Sequence, residues 1–236
     1  MNQTAVITGA GSGVGRAVTL ALARQGWSAV ISGRRESALH ETLEQAGDLG
    51  AHLHPVRCDV CSEDEVSRLM AAARKKLGPI EVLVNSAGVN VPNRAFKDLS
   101  SSDYQRILDT NLNGAFFCIQ AVLPWMREAG SGTIVNILSD AARTARVVSG
   151  PAYVAAKFGL LGVTQAINGE ERHNGIRACA ILPGEINTSL LDCRPDPPPM
   201  AARETMLSAD DVAACVLLAV QLPPRAIVEE LLIRPA

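Results

Sequence analysis

Short runs of β-branched and other apolar residues alternate with longer stretches in which apolar positions recur at helical spacing, so the chain reads as strands and amphipathic helices laid down in turn. The pattern predicts a strand at Thr4–Thr8, a helix from Gly13 to about Gln25, a strand at Ser28–Ser32, a helix from Glu36 and a strand ending near Cys58. A helix from Ser62 to about Leu77, the strand Glu81–Asn85 and a helix from near Ser102 that runs past Phe117 and bends at Pro124 follow. The alternation closes with a strand at Thr133–Leu138, a helix from about Ala152 to Arg172, a strand at Ile176–Leu182, a helix at Ala209–Gln221 and a strand near Val228–Ile233. About seven strands separated by helices predict an α/β fold of Rossmann type, doubly wound, with a mostly parallel sheet and helices on both faces. Only the proline cluster at Pro195–Pro199 interrupts the pattern, as a surface loop or lid.

Composition narrows the picture little further. At 236 residues and 47% hydrophobic content, the chain has apolar material for one sizeable core, and residues 1–236 are expected to form one dinucleotide-binding and catalytic domain with a substrate loop at about 187–207. Basic and acidic residues number 22 and 24 and form no run of like charge, so neither nucleic acid nor an anionic membrane is an expected partner. With no signal-peptide pattern at Met1 and no apolar stretch long enough to span a bilayer, a cytoplasmic location is expected. The six cysteines are dispersed and read as free thiols, the C-x-x-C at Cys58 and Cys61 included, because Cys58 closes a strand instead of opening a helix. His52 and His54 alternate on one strand face without further ligands, and no metal site is expected.

The chemistry is concentrated in two places. After the first strand comes Thr8-Gly9-Ala10-Gly11-Ser12-Gly13-Val14-Gly15, whose glycines allow a tight turn, close approach of backbone to a pyrophosphate, and close helix–strand packing. The helix that follows turns its unpaired N–H groups and positive dipole end toward the phosphates. At the end of the second strand, where a carboxylate would hold a free ribose 2′-hydroxyl, stand Arg34 and Arg35, which suit a 2′-phosphate; NADP(H) is therefore expected over NAD(H), which remains possible. The plainer alternative makes both arginines solvated residues at a helix start. Asp59 and Val60, after the third strand, are placed to meet the adenine. At the other end, Tyr153 and Lys157 share a helix face four residues apart, and an ammonium beside a phenol favours the phenolate. Ser139, ending the preceding strand, can donate a hydrogen bond where charge develops on a substrate oxygen.

Taken together these motifs make the chain resemble a classical short-chain dehydrogenase/reductase over essentially its whole length. Thr8 to Gly15 fits the family's T-G-x-x-x-G-x-G, Asn85-Ser86-Ala87-Gly88 its N-N-A-G with a serine at the second position, and Pro183, Gly184 and Thr188 its P-G-x-x-x-T. Asn111, Ser139, Tyr153 and Lys157 fall on its catalytic positions. The resemblance implies that Tyr153 is the general acid in reduction and base in oxidation, that Lys157 binds the nicotinamide ribose and lowers the tyrosine pKa, and that Asn111 holds a relay water. It further implies cofactor contacts from Gly9, Gly11, Ser12, Gly13, Val14, Gly15, Asn85, Ala87, Gly88, Pro183, Gly184, Ile186 and Thr188, the last two beside the carboxamide. A small carbonyl or alcohol is the implied substrate, in a moderately apolar pocket walled by the loop after Ser139, by Glu185 and by Ser189–Leu207, where Arg143 and Arg146 are either a carboxylate attractor or solvent-facing. A 3-oxoacyl-thioester reductase is the alternative, though no concentrated basic patch marks a docking site for an acyl carrier protein; a non-catalytic dinucleotide sensor is a second, disfavoured by the intact Ser139, Tyr153 and Lys157. A homotetramer or homodimer is implied, built on the helix from Ser102 and the helix carrying Tyr153, where Ala155, Gly159 and Gly162 permit close approach.

Overall fold

A computed structural model describes residues 3–236. Its strands are β1 (Thr4–Thr8), β2 (Ser28–Gly33), β3 (Leu53–Arg57), β4 (Val82–Asn85), β5 (Gly132–Ile137), β6 (Ile176–Pro183) and β7 (Glu230–Ile233). Between them lie α1 (Gly13–Arg24), α2 (Glu36–Ala46), α3 (Glu63–Leu77), α4 (Ser101–Leu108), α5 (Gly114–Ala129), α6 (Pro151–Glu171), the single turn α7 (Met200–Arg203) and α8 (Ala209–Gln221). The sheet has the order β3-β2-β1-β4-β5-β6-β7 and every pairing is parallel, one step beyond the mostly parallel sheet expected.

The central strands β1, β4 and β5 are buried at every position, which is why they read as unbroken apolar runs instead of alternating ones. The two largest cores lie one on each face. Leu22, Ile7, Ile31 and Val216 pack under α1 and α8, and Leu69, Met70, Val122 and Ile134 pack under α3 and α5. Helix ends follow local chemistry: Ser62 caps α3 by accepting from the Glu65 N–H, acidic residues fill its first turn and Arg74, Lys75 and Lys76 its last, complementing the dipole. In α8, Ser208 and Asp211 form a reciprocal capping box.

Two local expectations change. The long helix from Ser102 continues through Pro124 inside α5, and its irregularity falls earlier, as a π-helical turn at Asp109–Asn113. The cause is Asn111, whose amide accepts from the Val89 N–H and donates to the Val89 carbonyl, both at 2.8 Å, drawing that turn toward the loop after β4. His52 belongs to a 3-10 turn (Gly47–His52) and only His54 lies in β3, so the two do not alternate on one strand face. The two cysteines of the C-x-x-C sit before the Ser62 cap of α3 as free thiols, and burial pushes both up, Cys58 to about 11. Among the described residues no helix is long and apolar enough to cross a membrane.

From β1 the chain winds outward through β2 to β3 and then crosses to β4 on the other side of β1. That reversal opens a crevice beyond the carboxyl ends of β1 and β4, where ligands bind in open parallel sheets. Pairing of Thr8 with Ser32 on one side and Asn85 on the other brings the glycine turn, the end of β2 and the segment after β4 to its rim.

Candidate active site

The glycine turn is built by its neighbours as much as by its own sequence. Thr8 Oγ1 accepts from the N–H groups of Ser86 and Ala87, pulling the segment after β4 against the turn. Gly9 has φ +67°, and a Cβ there would lie 2.7 Å from the Ala87 nitrogen. Gly15, on the first turn of α1, would place a Cβ 2.3 Å from the Gly9 carbonyl oxygen. Backbone therefore occupies the space side chains would need, and what results is a concave shelf with the N-terminus of α1 above it.

This shelf is one end of a cleft of about 590 Å³, lined by Gly9, Gly11, Ser12, Gly13 and Val14, by Arg34, Arg35, Asp59 and Val60, by Ala87 and Gly88, and by Tyr153, Lys157, Ile186 and Thr188. A second cavity of about 120 Å³ adjoins it, with Ser139, Pro183 and Gly184 in its wall, and Leu138, Tyr153, Ile186, Thr188 and Leu190 form the partition between the two. Three sequence-identified residues line neither. Gly15 lies beneath the turn; Asn85 is buried and donates to Asn136 Oδ1 at 2.9 Å, which continues through Asn136 Nδ2 to Thr164 Oγ1 at 2.9 Å; Asn111 stands behind Gly88 and fixes Val89. They shape the wall from one layer back. Not singled out from the sequence were Ala38, Cys58, Val89, Thr110, Ile137 and Leu138 in the cleft and Asn90 and Arg94 in the small cavity, whereas Leu190, Cys193 and Arg194 belong to the wall expected at Ser189–Leu207. Such positions carry no motif, because they reach the wall from α2, from the ends of β3 and β5, from the π-helical turn and from the loop after β4, segments far apart in the chain.

Lys157 is buried, its Nζ donating to the Ile137 carbonyl at 2.8 Å and lying 5.5 Å from the centre of the Tyr153 ring. Burial pushes Tyr153 up to about 12, against a hydrogen bond from Ser139 that lowers it, and drives Lys157 down to about 8. Asp140 raises the phenol further, and the cation that lowers it is Arg94, in place of the expected Lys157. Ser139 Oγ also accepts from the Ala141 N–H, which holds the hydroxyl at the end of β5.

Around the small cavity the charges are largely spoken for. Arg146 and Arg234 both reach Asp140, Arg194 pairs with Glu185 at 2.8 Å, and Arg143 is paired with Glu230. Arg143 and Arg146, the sequence candidates for attracting a carboxylate, thus have carboxylate partners within the chain. The loop expected at about 187–207 is closed at its base by the Asn187 N–H to Leu207 carbonyl and the Leu207 N–H to Glu185 carbonyl, and Leu190, Leu191 and Cys193 face the two cavities from it.

The donor set fits a dinucleotide: a backbone shelf that no Cβ could share, a helix N-terminus of twelve residues behind it, and at the far rim Arg34 and Arg35, exposed and paired with no carboxylate among the described residues. Residues 3–196 match the family model of short chain dehydrogenase. A 3beta-hydroxysteroid dehydrogenase from Mediterraneibacter gnavus is 35% identical over 79% of this chain and 67% of its own. Among solved structures, an actinorhodin polyketide ketoreductase variant with NADPH superimposes with a TM-score of 0.91 at 29% identity, covering 99% of this chain and 96% of the other. The closed form of a serine dehydrogenase complexed with NADP+ gives 0.89 at 26%, covering 99% and 95%.

Proposed function

Since the chain belongs to the short chain dehydrogenase family, and is therefore an oxidoreductase with this fold, we propose that it transfers hydride between NADP(H) and a small carbonyl or alcohol, with Tyr153 as the proton carrier. The observation that carries the proposal is the partition: Tyr153 faces both the long cleft and the small cavity, with Lys157 on the cleft side and Ser139 on the other. The nicotinamide supplies or takes up the hydride when bound. In reduction the Tyr153 phenol, held protonated at neutral pH by its raised pKa, gives its proton to the substrate oxygen, while Ser139 donates a hydrogen bond to the same atom. In oxidation Tyr153 first gives up its own proton toward Lys157 and solvent, and the phenolate then takes the proton of the alcohol. Lys157 spends one N–H on the Ile137 carbonyl and keeps two for ribose hydroxyls and onward proton transfer. Asn111, with both ends of its amide on Val89, has its second Nδ2 proton left to offer a relay water.

Preference for NADP(H) rests on Arg34 and Arg35 at the end of β2, where no acidic side chain stands, and accords with the two neighbouring structures that contain NADP+ and NADPH. Exposed Tyr104, Phe116 and Phe158 on α4, α5 and α6 support a homodimer or homotetramer through that face. Gly159 is already filled by Leu112 within the subunit, whereas Gly162 faces open space. Fluorescence titration with NADPH and NADH, followed by NADPH oxidation on a panel of aldehydes, ketones and 3-oxoacyl thioesters, tests the reading. NADPH is expected to bind about 10–100-fold tighter than NADH, with Arg34→Ala and Arg35→Ala eroding the difference and Tyr153→Phe abolishing turnover. Equal affinity for the two nucleotides would overturn the cofactor assignment, and unchanged turnover in Tyr153→Phe the mechanism.

A further inference from the structure

Arg94 is 95% buried by its 5% exposure, yet no carboxylate lies against it among the described residues. Its guanidinium is held by three main-chain carbonyls from three separate segments: Nε donates to Val91 at 2.6 Å, Nη1 to Val148 at 3.2 Å, and Nη2 to Cys193 of the loop after Thr188. Gly150, at φ +76°, packs its backbone on the Arg94 stem so closely that a Cβ would lie 2.8 Å from the Arg94 Cβ. The group is thus fixed in place.

A guanidinium has five N–H donors, and a buried one is normally satisfied in full. Arg177 shows this within the same molecule: also held without a carboxylate, it directs Nε to Thr133, Nη1 to Pro223 and Ala226, and Nη2 to Val220 and Leu222, so that every N–H is placed. Arg94 places three, leaving one N–H on each terminal nitrogen, and unlike Arg177 it lines the cavity of Ser139 and Tyr153. One free N–H on each terminal nitrogen of a fixed, uncompensated cation can be offered to the oxygens of a carboxylate. The other arginines of that cavity, Arg146 and Arg194, are already paired with Asp140 and Glu185.

We propose that Arg94 binds the carboxylate of the substrate, making the protein specific for a short hydroxy acid or oxo acid whose reacting carbon sits between Arg94 and Tyr153. The proposal rests on the oxidoreductase reading and refines its substrate class. A cavity of about 120 Å³ limits that acid to roughly ten non-hydrogen atoms, at about 10–15 Å³ of free space each. Arg94 positions such a substrate and takes no part in the proton transfer.

The test compares NADP+ reduction by the full-length protein with 3-hydroxybutyrate, 4-hydroxybutyrate and lactate against their methyl esters, in wild type, Arg94→Met, Arg94→Lys and Tyr153→Phe. Wild type is expected to favour the best acid over its ester by about tenfold or more in kcat/KM, Arg94→Met to bring the two within about threefold mainly through KM, and Arg94→Lys to restore part of the preference. Esters turned over as well as acids, with activity lost in Tyr153→Phe, would overturn the carboxylate site and leave the oxidoreductase reading standing. Independently of turnover, 3-hydroxybutyrate at millimolar concentration is expected to raise the melting temperature of the NADP+-loaded wild type and not of Arg94→Met; no rise in wild type overturns the proposal. NADPH titration of each variant separates a lost acid site from a lost fold, and the wild-type acid-to-ester ratio decides the matter if Arg94→Met does not fold.

Discussion

Replacing Lys157 by methionine is expected to abolish turnover and at the same time stabilise the fold. The ammonium is buried at 4% exposure, and burial takes its pKa from the ordinary 10.5 to about 8. At about 1.4 kcal/mol per pKa unit, keeping it charged at pH 7 costs about 3 kcal/mol. Methionine removes that cost but leaves the Ile137 carbonyl without its donor, a penalty of about 1–2 kcal/mol, so the net gain is about 1–2 kcal/mol. The pH dependence identifies the cause. Between pH 8 and 10.5 the unfolded chain holds the lysine proton and the folded chain does not, so wild-type stability rises with pH across that window, and the advantage of Lys157→Met fades over the same range. Urea denaturation of both proteins at pH 7, 9 and 10, at one protein concentration, measures the difference. A variant less stable than wild type at pH 7, or a gain that does not change with pH, refutes the argument that burial of a charge at this site is held against the stability of the fold.

Other perturbations probe the scaffold. Gly15→Ala puts a methyl carbon into the Gly9 carbonyl and should cost about 1–3 kcal/mol by thermal melt while weakening NADPH binding more than tenfold; unchanged affinity would show that the shelf tolerates displacement of α1. Glu171, held down to about 2 chiefly by the hydrogen bond from Arg127, and helped by Asn174, contributes stability that is present above its ordinary value of 4.5 and lost as pH falls toward 2. Glu171→Gln should therefore be less stable than wild type at neutral pH, with the gap closing in acid; a gap constant from pH 7 to 3 would contradict the assignment. Arg177→Met removes five donor contacts, three of them to Leu222, Pro223 and Ala226 in the segment after α8, and is expected to destabilise by about 2–4 kcal/mol in urea without altering the acid-to-ester preference that Arg94 governs.

The alternation of apolar runs and amphipathic stretches determined the doubly wound sheet, because parallel strands buried on both faces can only be continuous hydrophobic segments and the helices between them must each turn one stripe inward. The glycine turn, the arginines after β2, Ser139 and the Tyr153–Lys157 pair were legible for a related reason: each is a local device whose spacing along one turn or one helix face already fixes its geometry. The π-helical turn at Asn111 was not legible, since it arises from a bond to Val89 twenty-two positions away. Nor was Arg94, which sits in an unremarkable loop and acquires its meaning from the carbonyls of Val91, Val148 and Cys193. Conversely, Arg143 and Arg146 looked free in sequence and are paired in the fold. Which cations keep unspent donors, and which side chains line a cavity instead of standing behind it, are sums over neighbours distant in the chain, and only tertiary structure decides them.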